Sequence, residues 1–386
     1  MLSYGLSEQQ RDLQMEARDF ARDVVRPAAA RHDEEANFAW EVVEPACESG
    51  LMNVMVPEEF SGRGLGCVEA CIVAEELSWG CSGIGTAIDA NQLAAAPLLL
   101  HGTKRQKQKY LPKLTCEERY AGRPNMAAYC VSEPQAGSDV SAIRTQAVRR
   151  GKHFVLDGEK KWVTNAGEAS WFFVLAYTDR EAGREGMTGF IVPADATGVQ
   201  IGPATAKLGQ RASVTRSVVF DQVEVPAKNV LGKEVGNGWL QAMSALDVAR
   251  PMAAASAVGV AQAAFELARD YASERRTFGK PIAEHQAVRF MIAEMDMQIS
   301  AARHLVHEAA WRHDQGGRNT LHSARAYAFA ADMCQKVVGD AVQIFGGNGY
   351  TREFPVEKLY RDAKSFQTYE GSSQIQRIVV AREIFG

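Results

Sequence analysis

The side chains best placed for chemistry lie near the end of the 386-residue chain, in Tyr369-Glu370-Gly371-Ser372-Ser373-Gln374-Ile375-Gln376-Arg377. An acid stands between an aromatic ring and a glycine, and two hydroxyls lead into an amphipathic helical pattern. Ser372 or Ser373 is suited to cap that helix, and Gly371 permits a sharp turn before it. Glu370 then lies just outside a helix N-terminus, on backbone that a ligand can approach. The helix end favours the carboxylate, whereas burial beside Tyr369 favours the protonated acid. A solvated acid in a helix-entry turn and a tuned general base are both open at this point.

Five further blocks group hydroxyl, aromatic or charged residues. Tyr129-Cys130-Val131-Ser132-Glu133-Pro134-Gln135-Ala136-Gly137-Ser138-Asp139 reads as a strand running into a Pro/Gly loop. Lys161-Trp162-Val163-Thr164-Asn165-Ala166-Gly167 carries a tryptophan that general experience assigns to a core. In Leu246-Asp247-Val248-Ala249-Arg250, the acid and the base lie three apart on one helix face, the spacing of an ion pair. Glu274-Arg275-Arg276-Thr277-Phe278-Gly279-Lys280-Pro281, followed by His285-Gln286, resembles a solvated loop. Gln343-Ile344-Phe345-Gly346-Gly347-Asn348-Gly349-Tyr350 is a glycine cluster after a helix, either a C-cap or a close approach to phosphate.

Other chemistries are disfavoured. Gly62-Arg63-Gly64-Leu65-Gly66 lacks the G-x-G-x-x-G spacing and no strand precedes it, so it reads as a plain turn. His304 and His307 lack a third metal ligand. No G-x-S-x-G element points to a hydrolase. A net charge of -4 gives no polybasic footprint for nucleic acid or anionic membrane. Seven scattered cysteines without a CxxC pair suggest a reducing compartment, with Cys67 and Cys71 as core residues. Glu8, Arg11, Asp12, Glu16, Arg18 and Asp19 break any early apolar stretch, and no apolar run is long enough to span a bilayer. A cytoplasmic protein, or a mature mitochondrial matrix form, is expected.

The elements that must position these residues follow from periodicity. Ser7-Glu8-Gln9-Gln10 is a capping-box signature, and helical spacing continues to Pro27. Helices are expected over about 40–48, 67–79, 84–100 and 104–110. From about 125 to 230 short β-branched and aromatic runs predict antiparallel β structure, with a hairpin turn at Asp157-Gly158. Beyond Gly238, helices are expected over about 238–273, 285–315, 319–345, 355–364 and 372–384, forming a bundle, with a kink at Arg250-Pro251.

This helix–strand–helix order and these blocks together resemble the acyl-CoA dehydrogenase family over nearly the whole chain, with the closest likeness to short- and medium-chain members. The resemblance implies an α+β fold. It has an N-terminal helical domain (1–120), a central antiparallel β-barrel domain (121–232) and a C-terminal four-helix bundle (233–386). It implies FAD-dependent α,β-dehydrogenation of a saturated acyl-CoA in lipid metabolism, as in fatty-acid β-oxidation. Glu370 would be the α-proton base and flavin N5 the hydride acceptor, with electrons passing to electron-transfer flavoprotein. It places Tyr129, Val131, Ser132, Ser138, Trp162, Val163 and Thr164 at the flavin. Ser138, Asp247, Arg250, Tyr369 and Gly371 would meet the substrate. Arg275, Thr277, Phe278, Gln286, Gln343, Ile344, Gly346, Gly347, Ser372 and Gln374 would also bind FAD, largely across a subunit interface of a homotetramer. Ala249 occupies the position at which some relatives carry their base, and alanine cannot accept a proton. An oxygen-reducing acyl-CoA oxidase, a nitroalkane-type flavoenzyme and a non-catalytic flavin-binding relative are the alternatives.

Overall fold

The computed structural model describes residues 5–386, so residues 1–4 of the expected first domain lie outside the described part. Helix α1 (Glu8–Phe20) opens on the expected capping box: Ser7 Oγ accepts from Gln10 N, and Gln10 Oε1 accepts from Ser7 N. Helical structure does not stop at Pro27. A π-helical turn, Ala21–Val25, leads into α2 (Arg26–Glu35), where Pro27 occupies the first turn and its missing N–H is harmless. Then come α3 (Trp40–Glu48), α4 (Cys67–Gly80), α5 (Ser82–His101) and α6 (Lys104–Tyr110). The glycines at 62–66 do close a turn, because a Cβ on Gly62 would lie 1.9 Å from Val56 O. The α4 N-terminus behind them is taken by the protein's own carboxylate: Cys67 N and Val68 N donate to Asp314 at 2.7 and 3.1 Å.

A short hairpin, β1 (Arg119–Tyr120) with β2 (Arg123–Pro124), leads into a curled seven-stranded sheet. Its strands are β3 (Met126–Cys130), β4 (Gln146–Arg150), β5 (His153–Thr164), β6 (Ala169–Tyr177), β7 (Met187–Pro193), β8 (Val199–Ile201) and β9 (Thr215–Pro226). The order is β3-β6-β4-β5-β9-β8, with β7 on β6. Two details differ from the expectation. The sheet is not wholly antiparallel: β3 runs parallel to β6, and β4 meets β6 in parallel at Gln146–Tyr177. The chain leaves β3 through the Ser132–Ser138 loop and the β4–β5 hairpin before it returns as β6. Asp157-Gly158 is not the hairpin turn, which lies at Gly151-Lys152. Gly158 instead forms a bulge inside β5, with φ of +150°, where a Cβ would lie 2.5 Å from Thr145 Oγ1.

The C-terminal part contains α7 (Gly238–Glu274), the hairpin β10 (Arg276–Thr277) with β11 (Lys280–Pro281), α8 (Gln286–Asp314), α9 (Thr320–Phe345), α10 (Val356–Ala363) and α11 (Ser373–Phe385). Helix α7 is the axis of the bundle, packing on α4, α5, α8 and α9, and α11 lies along α9. Its buried alanines, Ala253, Ala254, Ala255 and Ala257, let neighbouring helices approach closely. Helix α7 runs through Pro251 as one element, so the proline does not interrupt it. Among the described residues no helix is long and apolar enough to cross a membrane. The cysteines depart from the all-thiol expectation: Cys47 and Cys116 are joined as a disulfide, Cα atoms 5.7 Å apart, while Cys67, Cys71, Cys81, Cys130 and Cys334 are free and buried. Their separation of 69 residues gave no spacing signal.

Candidate active site

Helices α5, α7 and α11, the residue 131–140 loop and the end of β5 enclose one cavity of about 1190 Å³. Glu370 borders it. Its backbone lies in the left-handed region, φ of +53°, and Gly371 follows at +90°. A non-glycine residue held there is uncommon and needs surrounding support. Support is present. Gln376 Nε2 donates to Glu370 O at 3.0 Å and to Gly371 O at 2.8 Å, Arg250 Nε donates to Glu370 O at 3.3 Å, and Tyr327 Oη donates to Tyr369 O at 2.8 Å. Of the two candidate caps, Ser372 serves, accepting from Ile375 N.

The Glu370 carboxyl is poorly solvated. Oε2 is buried and has no hydrogen-bond partner. Burial pushes its pKa up to about 7, opposed by the Arg250 charge and helped by Asp89. Burial, one of the two influences considered from sequence, thus leads, and the charge that opposes it is that of Arg250. Asp247 and Arg250 form the expected intrahelical pair, Nη1 to Oδ1 at 3.0 Å, and both border the cavity. Thr320 Oγ1 holds the other Asp247 oxygen at 2.6 Å. Ala249 faces the same space, so the alternative base position is indeed a methyl group there.

The opposite wall is built by β3, β5 and the loop between them. Tyr129, Val131, Ser132, Ser138, Trp162 and Thr164 all border the cavity. Tyr129 Oη donates to Ala242 O at 2.9 Å, and its ring stacks on Phe173. Ser132 O accepts from Lys161 N at 2.9 Å, which ties the loop to the Trp162 strand end. Trp162 is not a core residue. It is 58% exposed, with φ of +62°, in an irregular stretch of β5 between Lys160 and Val163. Val163 turns the other way, and its side chain is fully buried in the sheet core. Beneath the wall lies a buried ion pair, Lys160 Nζ to Glu133 Oε1 at 2.8 Å. Glu133 also accepts from Thr145 N, Thr145 Oγ1 and Arg144 N, and Lys160 also donates to Val131 O.

The family models for acyl-CoA dehydrogenases match all three parts of the chain: the N-terminal domain over 7–118, the middle domain over 128–223 and the C-terminal domain over 236–385. The chain belongs to the acyl-CoA dehydrogenase family. It is 39% identical to the probable medium-chain specific acyl-CoA dehydrogenase 2, mitochondrial, of Caenorhabditis briggsae, over 100% of this chain and 92% of that protein. Butyryl-CoA dehydrogenase from Megasphaera elsdenii superposes with a TM-score of 0.95 at 34% identity, over 100% of both chains. A chain in the structure of the electron transferring flavoprotein of Acidaminococcus fermentans gives 0.96 at 36%, again over 100% of both.

Acyl-CoA dehydrogenases are FAD-dependent, and the wall opposite Glu370 fits a flat aromatic group: an exposed tryptophan on strained backbone stands beside the Ser132 and Thr164 hydroxyls. The remaining expected residues do not reach this cavity within one chain. Arg275, Thr277, Phe278 and Gln286 lie around the β10–β11 hairpin, with Phe278 94% exposed. Gln343, Ile344, Gly346 and Gly347 lie at the α9 end, where Asn348 Nδ2 donates to Tyr271 Oη of α7. Both groups thus gather near the C-terminal end of α7. Gln374 is exposed on the first turn of α11, whereas Tyr369, Gly371 and Ser372 border the cavity.

Sequence reasoning missed Asp89. It borders the cavity, accepts from Ser256 Oγ at 2.9 Å, and burial pushes it up to about 7. The available signal was its isolation, since it is the single charged residue between Ser82 and Leu100. The Lys160–Glu133 pair was missed as well. Its partners are far apart in sequence, and nothing local marks Lys160 as buried.

Proposed function

We propose that this protein dehydrogenates a saturated acyl-CoA thioester to the trans-2-enoyl-CoA, with Glu370 as the base. The observation that carries the reading is the Glu370 carboxyl: its Oε2 is buried without a hydrogen-bond partner, its pKa is pushed up to about 7, and it borders the same cavity as the Ser132–Trp162–Thr164 wall. Near neutral pH such a group is partly ionised yet basic enough to accept a carbon-bound proton. The Glu370 N–H has no acceptor among the described residues, which leaves it available to the thioester oxygen as enolate charge develops. Trp162, Ser132 and Thr164 would hold the flavin ring on the far side of the substrate. FAD, when bound, supplies the acceptor for the hydride leaving the β-carbon.

Arg275, Thr277, Phe278, Gln286, Gln343, Ile344, Gly346 and Gly347 would complete the FAD site of a neighbouring subunit, which accounts for their position away from this chain's own cavity. A homotetramer with electron-transfer flavoprotein as acceptor is the assembly that this reading implies. The test is anaerobic mixing of the flavin-loaded enzyme with butyryl-, octanoyl-, palmitoyl-, isovaleryl- and glutaryl-CoA. At least one should bleach the flavin, and Glu370→Gln should retain the flavin but slow bleaching by a factor of about 10²–10⁴. Near-normal bleaching in that variant would remove Glu370 as the base.

A further inference from the structure

Ser373 and Arg377 belong to the segment that carries Glu370, yet neither borders the cavity. Ser373 is buried, and Ser372 already serves as the cap of α11. The Ser373 hydroxyl turns to α9 instead, where its Oγ donates to Asp332 Oδ1 at 2.9 Å. Gln367 Nε2 donates to the same oxygen at 2.7 Å. Arg377 Nη2 reaches the other oxygen, Oδ2, at 2.7 Å, and its Nη1 donates to Ser373 O at 2.9 Å. Burial pushes the Asp332 carboxyl up, but the bonds from Arg377, Gln367 and Ser373 outweigh it and hold the group below the usual carboxylate range. It is ionised at neutral pH, and an ionised acceptor strengthens each of these bonds.

Gln367 stands three residues before Glu370, and Ser373 three residues after it. Two donors that share one oxygen close the chain between them into a loop, with Glu370 at its midpoint. Inside that loop Glu370 and Gly371 have φ of +53° and +90°, a conformation that persists for a non-glycine residue only when its surroundings fix it. Arg250, Tyr327 and Gln376 hold the main-chain oxygens of residues 369–371, the middle of the loop. Its two ends meet at Asp332. That residue sits on α9 beside the buried Ala331, Met333 and Cys334, so the anchor is the bundle core. Neither Asp332 nor Gln367 borders the cavity, and the charges that act on the Glu370 carboxyl are those of Arg250 and Asp89. Asp332 thus reaches Glu370 through the shape of the backbone, not through its charge or a ligand contact.

We infer that Asp332 is a positioning residue for the base: by closing the 367–373 loop against α9, it aims the Glu370 carboxyl into the cavity. This rests on the reading of Glu370 as the α-proton base. Without the closure the two ends of the loop separate and the left-handed pair relaxes. The carboxyl then loses both its direction and its shelter from water. The ion pair with Arg377 is a separate contact of the same side chain. Arg377 is exposed, and a pair of that kind contributes little.

The experiment compares wild type with Asp332→Ala, Asp332→Asn, Arg377→Met and the double variant Gln367→Met/Ser373→Ala. With the thioester that wild type accepts, flavin-loaded Asp332→Ala should have a kcat lower by about tenfold, KM little changed and a larger α-deuterium isotope effect, the pattern of a displaced base. The double variant should match it. Asp332→Asn keeps an oxygen for Gln367 and Ser373 and should recover most of the rate. Arg377→Met, which breaks only the exposed pair, should stay close to wild type. A second readout needs no turnover: infrared titration of the Glu370 carboxyl, assigned by subtracting the Glu370→Gln spectrum. Its pKa should fall from about 7 toward the ordinary 4.5 in Asp332→Ala, because the released carboxyl meets water. An unchanged rate and titration in Asp332→Ala, or in the double variant if Asp332→Ala does not fold, overturns the proposal. So does a loss in Arg377→Met equal to that in Asp332→Ala, which would assign the effect to the ion pair. A wild type whose Glu370 titration depends on Asp332 as expected, but whose flavin no thioester bleaches, would sink the dehydrogenase reading and leave the positioning role standing.

Discussion

Arg250 joins the two halves of the catalytic corner. Its Nη1 pairs with Asp247 one turn earlier on α7, and its Nε reaches the main-chain oxygen of Glu370. A helix residue thus clamps the strained residue that precedes α11, and its charge also opposes the upward push of burial on the Glu370 carboxyl. Arg250→Met removes both effects. The carboxyl loses an opposing positive charge, so its pKa rises, and the acid limb of the kcat/KM profile moves to higher pH. The loosened backbone should lower kcat by about tenfold or more, since positioning losses are of that order. A pH–rate profile of the flavin-loaded variant checks both parts.

Asp89 acts on the same carboxyl with the opposite sign. Its charge adds to the burial that raises Glu370, and it borders the same cavity. Asp89→Asn keeps the Ser256 Oγ contact possible while removing that charge. The Glu370 pKa should fall, and the acid limb should move to lower pH, contrary to Arg250→Met. If both variants moved the limb in one direction, electrostatic tuning of Glu370 by these two neighbours would be wrong.

The large elements were legible because long periodic helices and β-rich runs carry strong patterns. Helices α3 and α6 begin and end where the periodicity placed them. What escaped was set by contacts distant in sequence. Gly158 read as a turn but forms a bulge, because only the packing of Thr145 shows why glycine is needed there. Parallel pairing of β3 with β6 depends on a loop excursion that no local pattern encodes. At the site, the helix entry after Gly371 and the Asp247–Arg250 pair were visible in spacing, whereas the role of Glu370 came only from the family resemblance and the cap stayed open between Ser372 and Ser373. The left-handed backbone of Glu370 was not visible, because the hydrogen bonds that support it come from Arg250 and Tyr327, distant in sequence, together with Gln376 in the following helix.

Trp162 separates stability from function. A large exposed ring on backbone with φ of +62° is strained and covers little of the protein itself. Glycine adopts that conformation freely, so Trp162→Gly should stabilise the flavin-free protein by about 1 kcal/mol. The same change should weaken FAD retention, because the flat surface of the wall is lost. Thermal unfolding of the flavin-free form and dialysis of the loaded form test the two halves. A variant that is less stable without flavin would show that the ring serves the fold rather than the cofactor.

The Lys160–Glu133 pair should behave as a buried support for that wall. Burial pushes the Glu133 carboxyl up, but Lys160, Thr145 and Arg144 N together outweigh it and hold the carboxyl down at about 2. A carboxyl with a lowered folded pKa stabilises fully above its ordinary value of 4.5, and this contribution drains away as pH falls toward about 2. Lys160→Met leaves a buried carboxylate without its cation and should destabilise by about 3–5 kcal/mol at pH 7. Adding Glu133→Gln to that variant removes the stranded charge and should recover part of the loss. Because the pair anchors the chain on either side of Ser132, the single variant should also bind FAD more weakly than the double. Urea unfolding at pH 7 and pH 3 is the measurement. An equal loss in Lys160→Met and in the double variant would mean that the lysine acts through packing alone.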